Sequence, residues 1–427
     1  MIHPWRDWCR FWFRPQTGHV LGLYRIVLGL ITIYSFALWA KDAVVFFSDA
    51  GVLTTQTLSA SMGRPYHTVL QWIRSPLGVS LALAALFLAA VCFTAGWHTR
   101  TSSIVLYVLV TSFHERNNLV LNGGDTVLRT MLFFFMFAPA GAALSVDRIL
   151  QRLRQPDGAT APPRQIVPWA QRMLQVQCAV IYLVTIYAKS RGGLYHDGTA
   201  MYYVFGLVDF NLRGVEQLMN HPVLCSFLTY AVLGVELTIP FLLWFRASRP
   251  YAVLLGLFAH GWIMLFMNIP VFGALMLATY LPFFTEREFQ RAAVRIRRWA
   301  AARRARVYFD GECPMCTRAR RLVETLDATG RVTSLDARTA ELPPGVDRRT
   351  LLEEMVLGTS RGHVLRGFDA WRWLLARFPA TFWLAPLLYL PGVAFMGRRV
   401  YRRVARGRTI LSRCEASTVC ETTPASR

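Results

Sequence analysis

Lysine is almost missing from this 427-residue chain: Lys41 and Lys189 are the only two, and the rest of the 47 cationic residues are arginine. Charge of either sign is scarce at 17% of residues, while 54% are hydrophobic. That balance excludes a disordered chain and argues against an ordinary soluble enzyme, because apolar residues reach this abundance when many of them face lipid. Cysteine is sparse too. Of the eight, Cys9, Cys92, Cys178, Cys225, Cys414 and Cys420 lie in apolar stretches or near the chain ends without a spacing pattern, which excludes a disulfide-rich scaffold. No nucleic-acid motif accompanies the net charge of +22, so the basicity is read as membrane topology and not as nucleic-acid binding.

What the sequence does have is a series of long apolar runs. Arg6, Arg10 and Arg14 precede a run reaching Ala40 that is too long for a cleaved signal and lacks a small-residue cleavage site, so it reads as a retained signal anchor. Stretches of about 20 apolar residues predict spans over His19–Ala40, Leu77–Trp97, Thr126–Val146, Trp169–Ala188, Pro222–Phe245 and Tyr251–Asn268. Thr101–Phe113 and Pro270–Phe284 are shorter candidates. With all counted, the fold class is an α-helical polytopic membrane domain of about eight spans.

The connections then sort by charge. One set holds Arg100, then Arg148, Arg152, Arg154 and Arg164, then Arg246 and Arg249, then the segment from Arg287 to Arg306. The other is mixed in sign: Lys41, Arg64 and Arg74 with Asp42 and Asp49; Glu115, Arg116 and Asp125; Lys189, Arg191, Asp197, Asp209, Arg213 and Glu216. The positive-inside rule makes the basic set cytoplasmic, with both termini, in the cell's inner membrane.

After Phe284 the composition changes. The chain divides into a membrane domain over 1–285, a basic linker helix over 286–305, an α/β domain over 306–410 and a disordered tail over 411–427. In the linker Phe289, Val294, Ile296 and Trp299 alternate with arginines, the pattern of a helix lying on an anionic lipid surface or of a solvated connector. The apolar run from Phe382 to Phe395 is interrupted by proline and too short to span, so it packs in the α/β domain or at the lipid interface.

In that domain Arg306–Asp310 predicts a strand, followed by Gly311, Glu312, Cys313, Pro314, Met315 and Cys316 and a helical pattern through Leu326. Strand, turn, Cys-x-x-Cys, helix is the setting of a redox pair. Cys313 at the helix N-terminus would have its thiolate stabilised by unpaired N–H groups, and Cys316, one turn on, would resolve a mixed disulfide. Half a zinc site and inert buried thiols are the alternatives; Cys414, Cys420 and His363 do not complete a metal-binding spacing, and no metal is expected. Further on, Val332–Leu335 reads as a strand, Arg348–Glu354 as a helix, Met355–Leu357 with His363–Leu365 as a hairpin and Phe368–Phe378 as a helix. That β-α-β-α-β-β-α order is thioredoxin-like, with Glu354-Met355 standing where thioredoxins usually carry a proline facing the disulfide.

Tyr308-Phe309-Asp310-Gly311 with Cys313 and Cys316, Gly367-Phe368-Asp369-Ala370-Trp371, Leu390-Pro391-Gly392 and Tyr401-Arg402-Arg403 resemble the DCC family of thiol-disulfide oxidoreductases. The resemblance implies dithiol redox chemistry at Asp310, Cys313 and Cys316. Leu23-Tyr24-Arg25-Ile26, Arg116-Asn117-Asn118, Leu121 to Thr126, Ala188-Lys189, Asp197 to Ala200, Val235-Glu236-Leu237 and Phe258-Ala259-His260 resemble the HTTM domain, related to vitamin K-dependent γ-glutamyl carboxylases. In those carboxylases a lysine base deprotonates a hydroquinone cofactor, and Lys189 is the residue nearest that motif. The carboxylases' large extramembrane substrate domain has no counterpart here.

Ionisable groups inside spans are expensive and point to function or to a structural pair. Glu236 and His260 are expected to pair with each other, or with Arg25 or Arg129. Arg116, Asn122, Asp125 and Asp197 gather at the outer ends of spans, as a polar site or as helix caps. Three functions follow: a membrane redox protein in which a cytoplasmic dithiol exchanges with an unidentified thiol or disulfide protein partner while the membrane domain, with membrane lipid around it, binds a quinone or other lipophilic ligand; a carboxylase-like enzyme using Lys189 as base on the outer face; or a non-catalytic lipid or peptide binding or maturation factor.

Overall fold

A computed structural model of the protein describes residues 3–62, 68–154, 164–212, 214–301 and 304–416. Arg64 and Arg213, assigned above to the mixed-sign connections, and the segment 417–427 lie outside them. The chain forms two compact units, 1–148 with 162–289, and 149–161 with 290–427.

The first unit is helical. Its main helices are α1 (Pro4–Phe13), α2 (His19–Ala40), α3 (Pro76–Ala95), α4 (Thr99–Arg116), α5 (Gly123–Phe137), α6 (Trp169–Ser190), α7 (Pro222–Leu242), α8 (Arg249–Phe266) and α9 (Pro270–Ala278). Five of them, α2, α3, α6, α7 and α8, are long and apolar enough to cross a membrane. Two expected spans are corrected. The one over Thr126–Val146 ends as a helix at Phe137, where Pro139 and Gly141 break the run, and the one over Pro270–Phe284 is a nine-residue helix followed by a 3-10 turn at Pro282. The short candidate Thr101–Phe113 is in fact an 18-residue helix.

Helices adjacent in sequence pack together: α2 on α3, α3 on α4, α4 on α5, α7 on α8 and α8 on α9, while α9 closes back on α2 and α5. Their shared core includes Leu21, Leu28 and Phe36 of α2, Leu86 and Phe93 of α3, Phe113 of α4 and Leu128 of α5. Because this core is largely apolar, polar groups buried in it need partners there. Arg25, fully buried, donates to the carbonyl oxygens of Ala140 at 2.5 Å, Thr94 at 3.4 Å and Leu144. These acceptors belong to the ends of α3 and of the segment after α5, where the helical ladder has run out and carbonyls need donors. Gly96 closes α3 in the left-handed conformation, φ 70°, and a Cβ there would lie 2.7 Å from the Arg25 guanidinium carbon, so both its dihedral and its position demand glycine.

In the second unit, strands β1 (Ala305–Phe309), β2 (Val332–Asp336), β3 (Val356–Gly358) and β4 (Val364–Arg366) form one sheet in the order β2-β1-β3-β4. β1 pairs parallel with β2 and antiparallel with β3, and β3 with β4 makes the hairpin. Helices α10 (Pro314–Leu326), α11 (Arg348–Glu353) and α12 (Gly367–Leu375) complete the β-α-β-α-β-β-α order, and α13 (Pro391–Ala416) follows. Strands and helix starts lie close to their sequence-based expectations, while α12 stops at Leu375, short of the expected Phe378. The register Phe309↔Asp336 puts the turn after β1 beside the end of β2. The core, Val307, Phe309, Val323, Leu357, Ala370, Leu374 and Phe378, also takes in Cys313, Cys316 and Met355, which occupies the place expected for the thioredoxin proline.

The linker is a helix over Glu286–Ala301 that opens with a capping box: the Glu288 carboxylate accepts the Thr285 N–H at 2.7 Å, and the Thr285 hydroxyl accepts the Glu288 N–H at 3.3 Å. The Phe382–Phe395 run folds into a 3-10 turn, a short helix and the start of α13, leaving Phe382, Trp383, Leu387 and Phe395 exposed.

The start of α4 receives its cap from far along the chain. His98, φ 45°, offers no side-chain cap of its own; instead the Asp147 carboxylate accepts the His98 N–H at 2.8 Å, the Thr99 N–H at 2.9 Å and the Thr99 hydroxyl at 2.7 Å. Partial burial would raise the Asp147 pKa, but these three hydrogen bonds outweigh it and hold the carboxyl below its usual value. The bonds therefore contribute fully above the unfolded value of about 3.9 and are lost as pH falls through the lower folded value. Asp147→Ala should destabilise the detergent-solubilised protein by about 1 kcal/mol at pH 7, the middle of the capping range for a partly hydrated carboxylate. Thermal unfolding of both proteins across pH checks it: the gap should close below about pH 4.

Candidate functional site

The turn after β1 holds the dithiol. Cys313 is the N-cap of α10, with Pro314 in the first turn, and its sulfur accepts the Cys316 N–H at 3.4 Å. Proline suits this place because the first helical N–H groups have no intrahelical acceptor and its ring presets the helical φ. A negative charge developing on the Cys313 sulfur therefore faces the positive end of a 13-residue helix. Both cysteines are unbridged and buried, and the exposed surface of the motif belongs to Glu312, Pro314 and Met315.

Asp310 is buried under the same turn. Its carboxylate accepts the Glu312 N–H at 3.2 Å and the Arg338 Nε–H at 2.8 Å, and Arg338 reaches the Glu312 carboxylate at 2.8 Å. The bond to Asp310, followed by the charges of Asp310, Glu312 and Asp336, makes the Arg338 guanidinium hold its proton more tightly than usual. At the end of β2 Asp336 accepts the Gly311 N–H at 3.4 Å, and a Cβ on Gly311 would stand 2.8 Å from that carboxylate. The aspartate thus positions the turn through its partners. Arg338 was missed by sequence reasoning; its signal is the parallel register, which brings the third position of Asp336-Ala337-Arg338 back to Asp310.

The polar residues of the first unit form separate groups. Lys189, at the end of α6, donates to the Glu236 carboxylate of α7 at 2.5 Å, with Nζ 5.4 Å from the Tyr195 ring centroid. The expected Glu236–His260 pair is thereby corrected: His260 Nε2 bonds the Tyr182 hydroxyl at 2.7 Å, and Tyr182 in turn bonds the Tyr280 hydroxyl. The flexible stem of Lys189 reaches the carboxylate, whereas a ring on α8 meets the hydroxyl two turns earlier on α6. Arg25 bonds backbone carbonyls as described and Arg129 pairs with Glu115 at 2.6 Å, so neither joins Glu236. Tyr182 and Tyr280 were not singled out from sequence. Tyr182 lies seven residues before Lys189, on the same helical face, and Gly256, one turn before His260, makes room for the Tyr280 ring: a Cβ there would fall 2.3 Å from it.

Pro240, four residues after Glu236, has no N–H to donate to the Glu236 carbonyl, so the ladder of α7 is interrupted beside the ion pair. Asn122 and Asp125 form the capping box of α5: Asn122 accepts the Gly124 N–H at 2.7 Å, and Asp125 accepts the Asn122 N–H at 2.7 Å. Asp125 also lies 3.8 Å from His114, which is buried and stacked on Phe36. Arg116 is fully buried and donates to Asp49 and to the Leu53 carbonyl, both at 2.8 Å. Asp197 is exposed at the turn after Gly193–His196. Among the described residues no three His, Cys, Asp or Glu side chains gather as a metal site would require.

Residues 13–288 match the HTTM domain family, and residues 307–414 match the family described as DCC1-like thiol-disulfide oxidoreductase. No curated protein and no solved structure matches the chain.

The regrouping of Lys189, Glu236 and His260 is testable by double-mutant cycles on thermal stability in detergent. Lys189→Met with Glu236→Gln should show a coupling of about 1–3 kcal/mol, since each single change strands a partly buried charge. His260→Phe with Tyr182→Phe should couple as well, by about 1 kcal/mol. A cycle of Glu236→Gln with His260→Phe should give the smallest value; a coupling there equal to that of Lys189 with Glu236 would restore the direct pair.

Proposed function

The chain belongs to the HTTM domain family and carries a DCC1-like domain, and from that footing we propose that it is a membrane redox protein whose Cys313–Cys316 pair exchanges with a thiol or disulfide partner. The observation that carries this reading is the Cys313 sulfur at the N-cap of α10, hydrogen-bonded by the Cys316 N–H. In the exchange the Cys313 thiolate attacks a partner disulfide, one partner sulfur leaves as a thiol and a mixed disulfide forms. Cys316 then attacks the Cys313 sulfur, releasing the second partner thiol: the partner is reduced by two electrons and the pair becomes a disulfide. The reverse sequence oxidises a dithiol partner. Asp310 and Arg338 keep the turn in place while the sulfurs change partners.

The membrane unit anchors this chemistry at the bilayer. With α4, α5 and α9 counted as crossings beside the five long apolar helices, Arg100, Arg246, Arg249 and the arginines of the linker helix fall on one side, which supports a topology in which both termini and the dithiol are cytoplasmic, in the inner membrane, with lipid around the spans. A quinone or other lipophilic molecule is the electron partner that suits a redox protein held there.

A second reading has its own observation, the ionisable side chains of Lys189 and Glu236 between α6 and α7, beside Tyr182 and His260. Groups of this kind inside spans mark ligand or proton sites. Lys189 as a carboxylase-like base would first have to break its hydrogen bond to Glu236.

The test is trapping in the full-length protein. Cys316→Ser should accumulate mixed disulfides through Cys313, since attack persists while resolution is lost, and Cys313→Ser should accumulate few. Non-reducing electrophoresis with mass spectrometry reads the adducts. Slow, equal alkylation of both thiols and no adduct would make the pair structural; zinc retained stoichiometrically would make it a metal site. If Lys189→Arg alone removes function in cells while both cysteine variants retain it, the second reading replaces the first.

A further inference from the structure

A cavity of about 800 Å³ opens within the second unit beside the dithiol. Its wall includes Cys316 with Met355, Trp371, Val400 and Tyr401, whereas Cys313 is not part of it. Two glycines of α13 shape it. At Gly397 a Cβ would lie 2.3 Å from the Phe368 ring, so the absence of a side chain lets α13 lie directly against α12. At Gly392, also in the cavity wall, a Cβ would meet nothing within 4 Å, because the space in front of it is open.

Three observations define what fits. The lining is almost wholly apolar, and the volume falls in the range of about 300–1,000 Å³ typical of small-molecule sites. A peptide strand would bring an N–H and a C=O for every residue, needing partners such a lining does not supply at a cost of roughly 1–3 kcal/mol each, whereas a quinone brings two carbonyl oxygens in all, which keeps that cost small. The reactive group in the wall is one sulfur of a dithiol, a two-electron donor. Finally, Met396, Val400 and Val404, which line the cavity, and Phe395 beside them are about half exposed or more, between Arg398, Arg399, Arg402 and Arg403. Exposed apolar side chains interleaved with arginine are what an anionic lipid surface retains, so the mouth of the cavity is suited to a ligand that arrives from a bilayer.

We propose that the cavity beside Cys316 binds a lipophilic quinone, and that the Cys313–Cys316 dithiol reduces it. This rests on the dithiol reading above and names its electron acceptor. Two S–H bonds break and one S–S bond forms; two electrons and two protons pass to the quinone, whose two carbonyl oxygens become the hydroxyls of the quinol. The ring lies against Cys316 and the tail runs along the apolar face of α13. An acyl lipid would satisfy the walls equally but leave the sulfurs unused, which separates it from a quinone in the test.

The full-length protein, reduced in mild detergent under anaerobic conditions, is mixed with decylubiquinone, a fully substituted quinone that forms no ring adduct with thiols. Quinol absorbance and the titre of Cys313 and Cys316 thiols by mass spectrometry are followed together; glutathione disulfide is the oxidant in a parallel reaction. One quinol should form for each pair of thiols lost, and Cys316→Ser should form none. Gly392→Trp, which fills the open space, and Val404→Trp, at the exposed mouth, should each lower the quinone rate relative to the glutathione disulfide rate at least tenfold. Two substitutions on different turns of α13 guard against one that fails to fold. Oxidation of the wild-type pair by glutathione disulfide but not by the quinone overturns the proposal and leaves thiol exchange standing. Quinone retained without thiol loss overturns it in favour of an acyl-type lipid site, and an unchanged rate ratio in both variants overturns the cavity as the place of reaction. If neither oxidant consumes the thiols, the exchange reading falls as well.

Discussion

A guanidinium with no exposed surface, that of Arg25, is held by carbonyl oxygens from the ends of two other segments. Stranding such a cation costs several kcal/mol, so its surroundings are obliged to supply acceptors. They come from α3, which stops at Gly96, and from the stretch after Phe137, where proline and glycine end the helix and leave carbonyls exposed to the arginine. Leu144 adopts φ 51° there, a conformation unfavourable for leucine, and its carbonyl is one of the acceptors. The corner between α2, α3 and α5 is thus built around one side chain, and the neighbouring helices pack on what it fixes.

Other buried or partly buried polar side chains of the first unit are held by partners in the same way: Arg116 by Asp49, Lys189 by Glu236, His260 by Tyr182. In the second unit a different constraint dominates. Its sheet places the turn after β1 beside the end of β2, and the carboxylates of Asp310 and Asp336 with Arg338 convert that proximity into a fixed geometry for two sulfurs.

Much of this is legible in the amino-acid sequence. The strand–turn–helix context of Cys313 and Cys316 follows from local periodicity and a proline in the first turn, and the hairpin of β3 and β4 from two short apolar runs. Long apolar helices are legible for the same reason, since lipid demands them. Pair partners are not. Glu236 and His260 are both ionisable and both well inside spans, yet helical rotation turns one toward Lys189 and the other toward Tyr182, and a hydropathy profile contains no information about rotation. The end of α5 is misplaced by such a profile because apolar residues continue past Phe137 although the backbone does not stay helical. The cavity beside Cys316 depends on α13 packing against α12 about 80 residues after the dithiol, with Gly397 admitting it, which no local pattern reveals.

The cap on α4 bears on how the protein is made. Asp147 emerges from the ribosome 48 residues after Thr99, the residue it caps, a delay of about 2–10 s at ordinary synthesis rates. Arg25 waits longer still for Ala140 and Leu144. During that interval the Arg25 cation and the first N–H groups of α4 lack the partners that the later segment brings. These helices therefore reach their final state as a group, when the segment following α5 arrives, and a ribosome stalled before residue 147 would present an incomplete bundle to the cell's quality control.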